Sequence, residues 1–203
     1  SYRVFFSTGY EILSATSSDG LNWTTETGFR IKPSTFSNYD SYAAISPTIL
    51  KFTTYYRMIY EGITINSTTQ HFFLSAISTD TVNWSKELAS EGRNTIRYRI
   101  LSGGTTVYLS QPEIIQLPDG GWRLYYTYNS TGSPNSSSLD AIGSATSSVQ
   151  GLIWTQESGL RVDPPASNPK CVKLSNGKYR LYWIENSNQI LSAISSDGLV
   201  FSQ

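Results

Sequence analysis

The sequence predicts an all-β chain, a β-propeller of four-stranded antiparallel blades, and three observations predict it. One phrase stands in the chain four times: Ile12-Leu-Ser-Ala-Thr-Ser-Ser-Asp-Gly-Leu-Asn-Trp23, Phe73-Leu-Ser-Ala-Ile-Ser-Thr-Asp-Thr-Val-Asn-Trp84, Ile142-Gly-Ser-Ala-Thr-Ser-Ser-Val-Gln-Gly-Leu-Ile-Trp154 and Ile190-Leu-Ser-Ala-Ile-Ser-Ser-Asp-Gly-Leu-Val-Phe201. A second phrase, aromatic-Arg-apolar, precedes each copy at Tyr2-Arg3, Tyr56-Arg57, Trp122-Arg123 and Tyr179-Arg180. No segment carries an apolar period of 3.6, so helix content is expected to be very low. Self-similarity on this scale marks stacked supersecondary units, each too small to bury its own apolar face.

The serines Ser14, Ser75, Ser144 and Ser192 of the first phrase lie 61, 69 and 48 residues apart, room for four short strands in each repeat. A polar residue and a proline open the innermost strand of three repeats, at Ser46-Pro47, Gln111-Pro112 and Asn168-Pro169. The first repeat lacks this phrase, so about four blades are expected with the first missing its innermost strand. Turn residues join the first and second strands at Pro118-Asp-Gly-Gly121 and at Ser175-Asn-Gly177. Asp19-Gly20 and Asp197-Gly198 join the third and fourth strands. The repeats run roughly over 1–42, 43–106, 107–165 and 166–203, within one propeller domain covering 1–203.

The second strands are apolar on both faces. Tyr56, Met58 and Tyr60 point one way and Arg57 and Ile59 the other; Trp122, Leu124 and Tyr126 against Arg123 and Tyr125 repeat the pattern. A sheet stacked between two others covers both faces, which favours a propeller over a sandwich with one wet face. The repeated arginines Arg3, Arg57, Arg123 and Arg180 then need partners, because an unpaired guanidinium among bulk is costly. The turn aspartates Asp19, Asp80 and Asp197 are the expected ones. Val149 stands near that place in the third repeat, where a different arrangement is expected. The segment from 88 to 107, with Arg93, Arg97, Arg99 and Gly103-Gly104, breaks the repeat and is expected to leave the propeller body; the Ser-rich stretch 129–140 reads as a solvent-exposed loop.

Composition excludes several functions. Fifteen Lys and Arg balance 15 Asp and Glu, and charged residues are 15% of the 203, so no basic field exists for nucleic acid. No apolar run approaches the roughly 20 residues of a membrane-spanning helix. Cys171 is the single cysteine and reads as a small buried apolar residue; His71 is the single histidine and reads as a loop or strand-edge residue. Neither a metal site nor a cofactor is expected. The sequence opens on Ser1 without Met or a signal peptide, as a processed or truncated chain does. Few charges beside abundant Ser, Thr, Asn and Tyr point to an extracellular or cell-surface place. Sequons at Asn22, Asn66, Asn83, Asn129 and Asn135 are candidate glycan sites there.

The Pro-strand, the Tyr-Arg-Leu-Tyr-Tyr type of strand and the Ser-Ala-x-Ser-x-Asp-Gly-x-x-Trp turn together resemble the blades of the five-bladed propeller glycosidases, the arabinanase, β-xylosidase and invertase clans. The turn 17–23 also resembles the sialidase Asp-box, with the Gly placed directly after the Asp. The resemblance implies carboxylates near the start of innermost strands, an acid and a base or nucleophile about 5 to 10 Å apart. The matching positions form a polar ring of Ser46, Thr48, Gln111, Glu113, Asn168 and Lys170. Glu113 is the only catalytic candidate in it, with Lys170 placed to neutralise it. The sequence therefore leads to a non-catalytic extracellular module of structural or adhesive role, its open first blade completed either by residues outside the given sequence or by another copy, the second route self-assembling into an oligomer or filament. The alternative is a carbohydrate-binding propeller or a glycosidase of the five-bladed type.

Overall fold

A computed structural model of the chain describes residues 1–35, 38–65, 69–90, 92, 94–102, 105–129, 140–186 and 188–202. Among them every regular element is a strand. Blade 1 is β1 (Tyr2–Thr8), β2 (Glu11–Ser17) and β3 (Thr24–Thr25), in that order across the sheet. Blade 2 is β4 (Ala43–Lys51), β5 (Tyr56–Ile65), β6 (Thr69–Ser78) and β7 (Ser85–Lys86). A hairpin of β8 (Leu101–Ser102) and β9 (Thr105–Thr106) precedes blade 3, which is β10 (Tyr108–Gln116), β11 (Trp122–Asn129), β12 (Ala141–Ser147) and β13 (Thr155–Gln156). Blade 4 is β14 (Ser167–Lys173), β15 (Tyr179–Glu185) and β16 (Gln189–Ser195). All pairings are antiparallel between chain neighbours, as in a propeller of meandering blades. The first blade lacks an innermost strand, as expected. The fourth departs from expectation, because its outer strand is reduced to one bridge between Ile194 and Ser202.

The chain divides into two compact units, Ser1–Ile96 with blades 1 and 2 and Arg97–Gln203 with blades 3 and 4. Ile12, Met58, Tyr60 and Leu74 centre the core of the N-terminal unit, and Tyr125, Ile142, Leu181 and Trp183 that of the C-terminal unit. The second strands do not share one burial pattern. β5 and β11 are buried on both faces nearly throughout, whereas β15 alternates buried Tyr179, Leu181 and Trp183 with accessible Arg180 and Tyr182. In β1, Tyr2 and Val4 are exposed and Arg3 and Phe5 half-buried.

The repeated arginine finds a carboxylate, but not the expected one. Arg3 pairs with Glu26 at 2.8 Å, Arg57 with Glu87 at 2.8 Å and Arg123 with Glu157 at 2.9 Å, each through two nitrogens on two oxygens. The partner is the glutamate three residues after each tryptophan, on the outer strand's side of the same blade. Ser14, Ser75 and Ser144 donate to the same glutamates at 2.7 Å. Arg180 instead donates to Ser192 Oγ at 3.1 Å.

The turn aspartates serve the backbone. Asp19 Oδ1 accepts the N–H groups of Leu21 and Asn22, Asp80 Oδ1 those of Val82 and Asn83, and Asp197 Oδ1 those of Leu199 and Val200. These amides hold the three carboxyls below the usual carboxylate range, Asp197 at about 2. The same turns offer carbonyls to the arginine of the preceding blade: Arg3 Nη1 donates to Asp80 O at 3.3 Å and Arg123 Nη1 to Asp197 O at 2.6 Å. One guanidinium thus ties its own outer strand to the next blade's turn. In blade 3 the turn has one more residue, Ser147 Oγ accepts the Val149 N–H, and Gln150 and Gly151 take left-handed φ of 50° and 72°.

A second arginine works alike. Arg30 Nη1 donates to Val82 O and Arg161 Nη1 to Leu199 O, while Nη2 of each bonds carbonyls of its own Glu-x-Gly-x-Arg loop. Segment 88–107 does not leave the body throughout. Tyr98, 6% exposed, sets its ring 5.3 Å from that of Tyr126 with the hydroxyls 3.0 Å apart. Arg93 and Gly103-Gly104 lie outside the described residues.

Glu157→Gln leaves the Arg123 guanidinium among bulk without its charge partner and is expected to cost roughly 3 kcal/mol in urea unfolding. Glu26→Gln is expected to cost less, since Arg3 and Glu26 are 25% and 22% exposed against 8% and 18% for Arg123 and Glu157. Equal costs would show that burial does not set the worth of the pair. The aspartates' depressed folded pKa values stabilise the fold above their unfolded value of about 3.9, and this contribution is lost as pH falls through the folded values. Asp80→Asn should therefore flatten the decline of the urea midpoint below pH 4; an unchanged slope would contradict the turn's role.

Candidate functional site

Each polar-Pro phrase makes a β-bulge. The register slips between Ile45 and Thr48, between Ser110 and Glu113 and between Ser167 and Lys170. Ser46, Gln111 and Asn168 hold φ of 52°, 54° and 55°, a left-handed conformation that non-glycine residues rarely take, least of all before proline. Strain of this kind persists where surrounding bonds over-determine it, and it concentrates at functional sites. Here the bonds are visible. The Ser46 N–H donates to Ser7 Oγ at 2.7 Å. The Asn168 N–H is shared between Thr127 Oγ1 at 3.0 Å and Gln111 Oε1 at 3.1 Å, and Thr127 donates to Gln111 Oε1 at 2.7 Å. Ser7 and Thr127 hold the same place, four residues after the strand arginine.

Of the expected polar ring, Gln111, Glu113, Asn168 and Lys170 come together in the C-terminal unit, while Ser46 and Thr48 belong to the N-terminal unit. Lys170 Nζ donates to Glu113 Oε2 at 2.8 Å; the Glu113 side chain is 17% exposed and that of Lys170 62%. Burial pushes the Glu113 carboxyl up, and the Lys170 ammonium and the Cys171 N–H pull against that rise without cancelling it. The result is a carboxyl held toward its neutral form beside an accessible cation. Cys171 lies behind it, 4% exposed, its thiol pushed by burial to about 12, which suits a packing residue and not a nucleophile.

The sequence reading missed Glu61. It stands where Ser7 and Thr127 stand in their blades, at 2% exposure, and its Oε1 lies 2.6 Å from His71 Nδ1. His71 is therefore no loop residue: it sits in β6 at 7% exposure, paired across from Ile63. The signal was in the alignment of repeats, since Glu61 is the one charged residue at that place.

Of the sequons, Asn22 and Asn83 are exposed, each donating its amide to the turn aspartate at 2.8 Å. Asn129 is 0% exposed and its amide is bound to Asp140, so the folded chain has no room for a glycan there. Asn66 and Asn135 lie outside the described residues. Among the described residues no cluster of three His, Cys, Asp or Glu could hold a metal ion.

No family model and no curated protein matches the sequence. Solved structures do match the fold. A thermostable family 43 glycoside hydrolase aligns over 99% of this chain and 68% of its own, at 14% identity and a TM-score of 0.74. A family 117 glycoside hydrolase of the marine bacterium Zobellia galactanivorans aligns over 97% of this chain and 56% of its own, at 17% identity and a TM-score of 0.75. The fold is that of the propeller glycosidases. A family 32 β-fructofuranosidase of Bombyx mori shares it over 98% of this chain and 45% of its own, at 15% identity and a TM-score of 0.68.

Replacing Lys170 by Met removes the cation that opposes desolvation, so the Glu113 carboxyl is expected to titrate at a higher pH still, read by carbon-13 NMR of the labelled side chain. A midpoint that stays in place or falls would contradict the assigned balance.

Proposed function

We propose that the protein is a carbohydrate-handling propeller and that its contact with sugar is made at Glu113 and Lys170. The observation that carries this reading is their pair on adjoining bulges: a desolvated carboxyl and an accessible ammonium, 2.8 Å apart, present acceptor and donor groups of the kind that sugar hydroxyls bind. The shared fold with glycoside hydrolases supports carbohydrate handling over a purely structural or adhesive module. The chain spans 68% and 56% of the length of those two enzymes, and their activity is not carried over with their fold.

Hydrolysis is a second reading, favoured by the raised titration of Glu113, the direction a general acid needs. It requires a second carboxyl group of opposite role. Burial raises the Glu113 carboxyl, and the groups that pull against it, the Lys170 ammonium and the Cys171 N–H, supply no second carboxyl. Binding is therefore the first reading.

Isothermal titration against a panel of plant and bacterial polysaccharides is expected to find at least one ligand, and Glu113→Gln and Lys170→Met are each expected to weaken it about tenfold or more, the worth of one charged hydrogen bond. No binding across the panel, or binding that both variants leave intact, would overturn the proposal. Reducing sugar released by the wild type and lost in Glu113→Gln would raise hydrolysis to first place.

A further inference from the structure

In the C-terminal unit the two charged residues of the candidate site hang from two strained bulges in the same way. Glu113 follows Gln111 by two residues and Lys170 follows Asn168 by two, with Pro112 and Pro169 between them. A proline fixes its own φ at about −65°, so little freedom separates each charged residue from the bulge residue before it. Where the two bulges sit relative to each other therefore decides whether Glu113 and Lys170 meet.

One hydroxyl ties the bulges together. Thr127 Oγ1 accepts the Asn168 N–H at 3.0 Å and donates to Gln111 Oε1 at 2.7 Å, and the same N–H lies 3.1 Å from Gln111 Oε1. The bonds close a ring: from Thr127 to Gln111, along Pro112 to Glu113, across 2.8 Å to Lys170, and back along Pro169 to Asn168 and Thr127. Thr127 is 1% exposed while the Lys170 side chain is 62% exposed, so Thr127 is closed to any ligand that the pair touches. The place four residues after the strand arginine is not given to this task throughout, since it holds Glu61 in blade 2 and Ile184 in blade 4. In the N-terminal unit Ser7 holds it and takes the Ser46 N–H at 2.7 Å, but two residues on from that bulge stands the uncharged Thr48. Thr127 is the hydroxyl at this place that supports a charged pair.

We infer that Thr127 is a positioning residue of the site: by fixing the two bulges against each other, its hydroxyl holds the Lys170 ammonium on the Glu113 carboxyl, the arrangement through which the site takes its sugar. Valine has nearly the shape of threonine and neither donates nor accepts. In Thr127→Val the Asn168 N–H loses one of its two acceptors, the left-handed Asn168 loses part of the support that its strain requires, and Lys170 moves off Glu113. The effect on sugar rests on the reading of Glu113 and Lys170 as the sugar contact; the position of the pair does not.

Carbon-13 NMR of the labelled Glu113 side chain reads that position with no ligand present. The titration midpoint is expected to rise in Thr127→Val, because a retreating ammonium opposes desolvation less, and to return to the wild-type value in Thr127→Ser, which restores the hydroxyl. In the Lys170→Met background Thr127→Val is expected to add no further rise, since its effect passes through Lys170. Should Thr127→Val not fold, Gln111→Met, which removes the other end of the tie, is expected to raise the midpoint likewise. Against a polysaccharide that the wild type binds, Thr127→Val is expected to weaken affinity about fivefold, the worth of one neutral hydrogen bond, and Thr127→Ser to recover it. A midpoint that these variants leave unmoved, a rise that serine does not reverse, or an equal further rise in the absence of Lys170 overturns the inference. A midpoint that moves as expected while no polysaccharide binds, or while binding keeps its wild-type strength, upholds the positioning and counts against the sugar contact alone.

Discussion

One interaction orders the structure: a guanidinium on the second strand of a blade, held in a fork by a glutamate of its own blade and reaching a turn carbonyl of the next. Burying a charge is costly unless it is paired and hydrogen-bonded, and a planar fork of donors meets both needs at once. Arg123 spends Nε and Nη2 on Glu157 and Nη1 on Asp197 O. Because the carboxylate fixes the plane of the fork, the remaining donor has one direction to point, toward the neighbouring turn. Blade registry within each unit follows from that direction. The aspartate's part is to shape the turn so that its carbonyl stands ready.

The proline bulges add a second layer of constraint. Their left-handed residues turn a backbone N–H out of the ladder, and a hydroxyl four residues beyond the strand arginine receives it in two of the blades. The same slip in register sets Glu113 and Lys170 side by side on adjoining innermost strands. The polar groups of the candidate site are thus positioned by strained backbone held in place by neighbours, a firmer support than a loop would give. Glu61 with His71, deep in the N-terminal unit, shows the same place in the repeat put to use by a hydrogen-bonded carboxyl and imidazole.

Much of this was legible in the sequence because it repeats. Three copies of Leu-Ser-Ala, a fourth reading Gly143-Ser-Ala, and four of aromatic-Arg fix strand order and hairpin connections. Polar-Pro marks the innermost strands and, through Glu113 and Lys170, the candidate site. What stayed hidden has physical causes. Asp and Glu are equivalent as charges, so the arginine's choice could not be settled until the turn geometry showed that the aspartate carboxyl is consumed by two amides. Glu61 looked ordinary because its role is defined by the hydroxyls that stand at its place elsewhere. The amide of Asn129 is bound by Asp140 at the other end of the same stretch, and a sequon carries no sign of it.

The claim on which these readings rest is that the strand arginine holds the next blade's turn. Native-state hydrogen exchange compares wild type with Arg123→Lys, which keeps the charge and loses the fork. Faster exchange at the amides of Leu199 and Val200, on the blade that does not carry the substitution, is the predicted result. Exchange that changes only within blade 3, around Glu157, would contradict it.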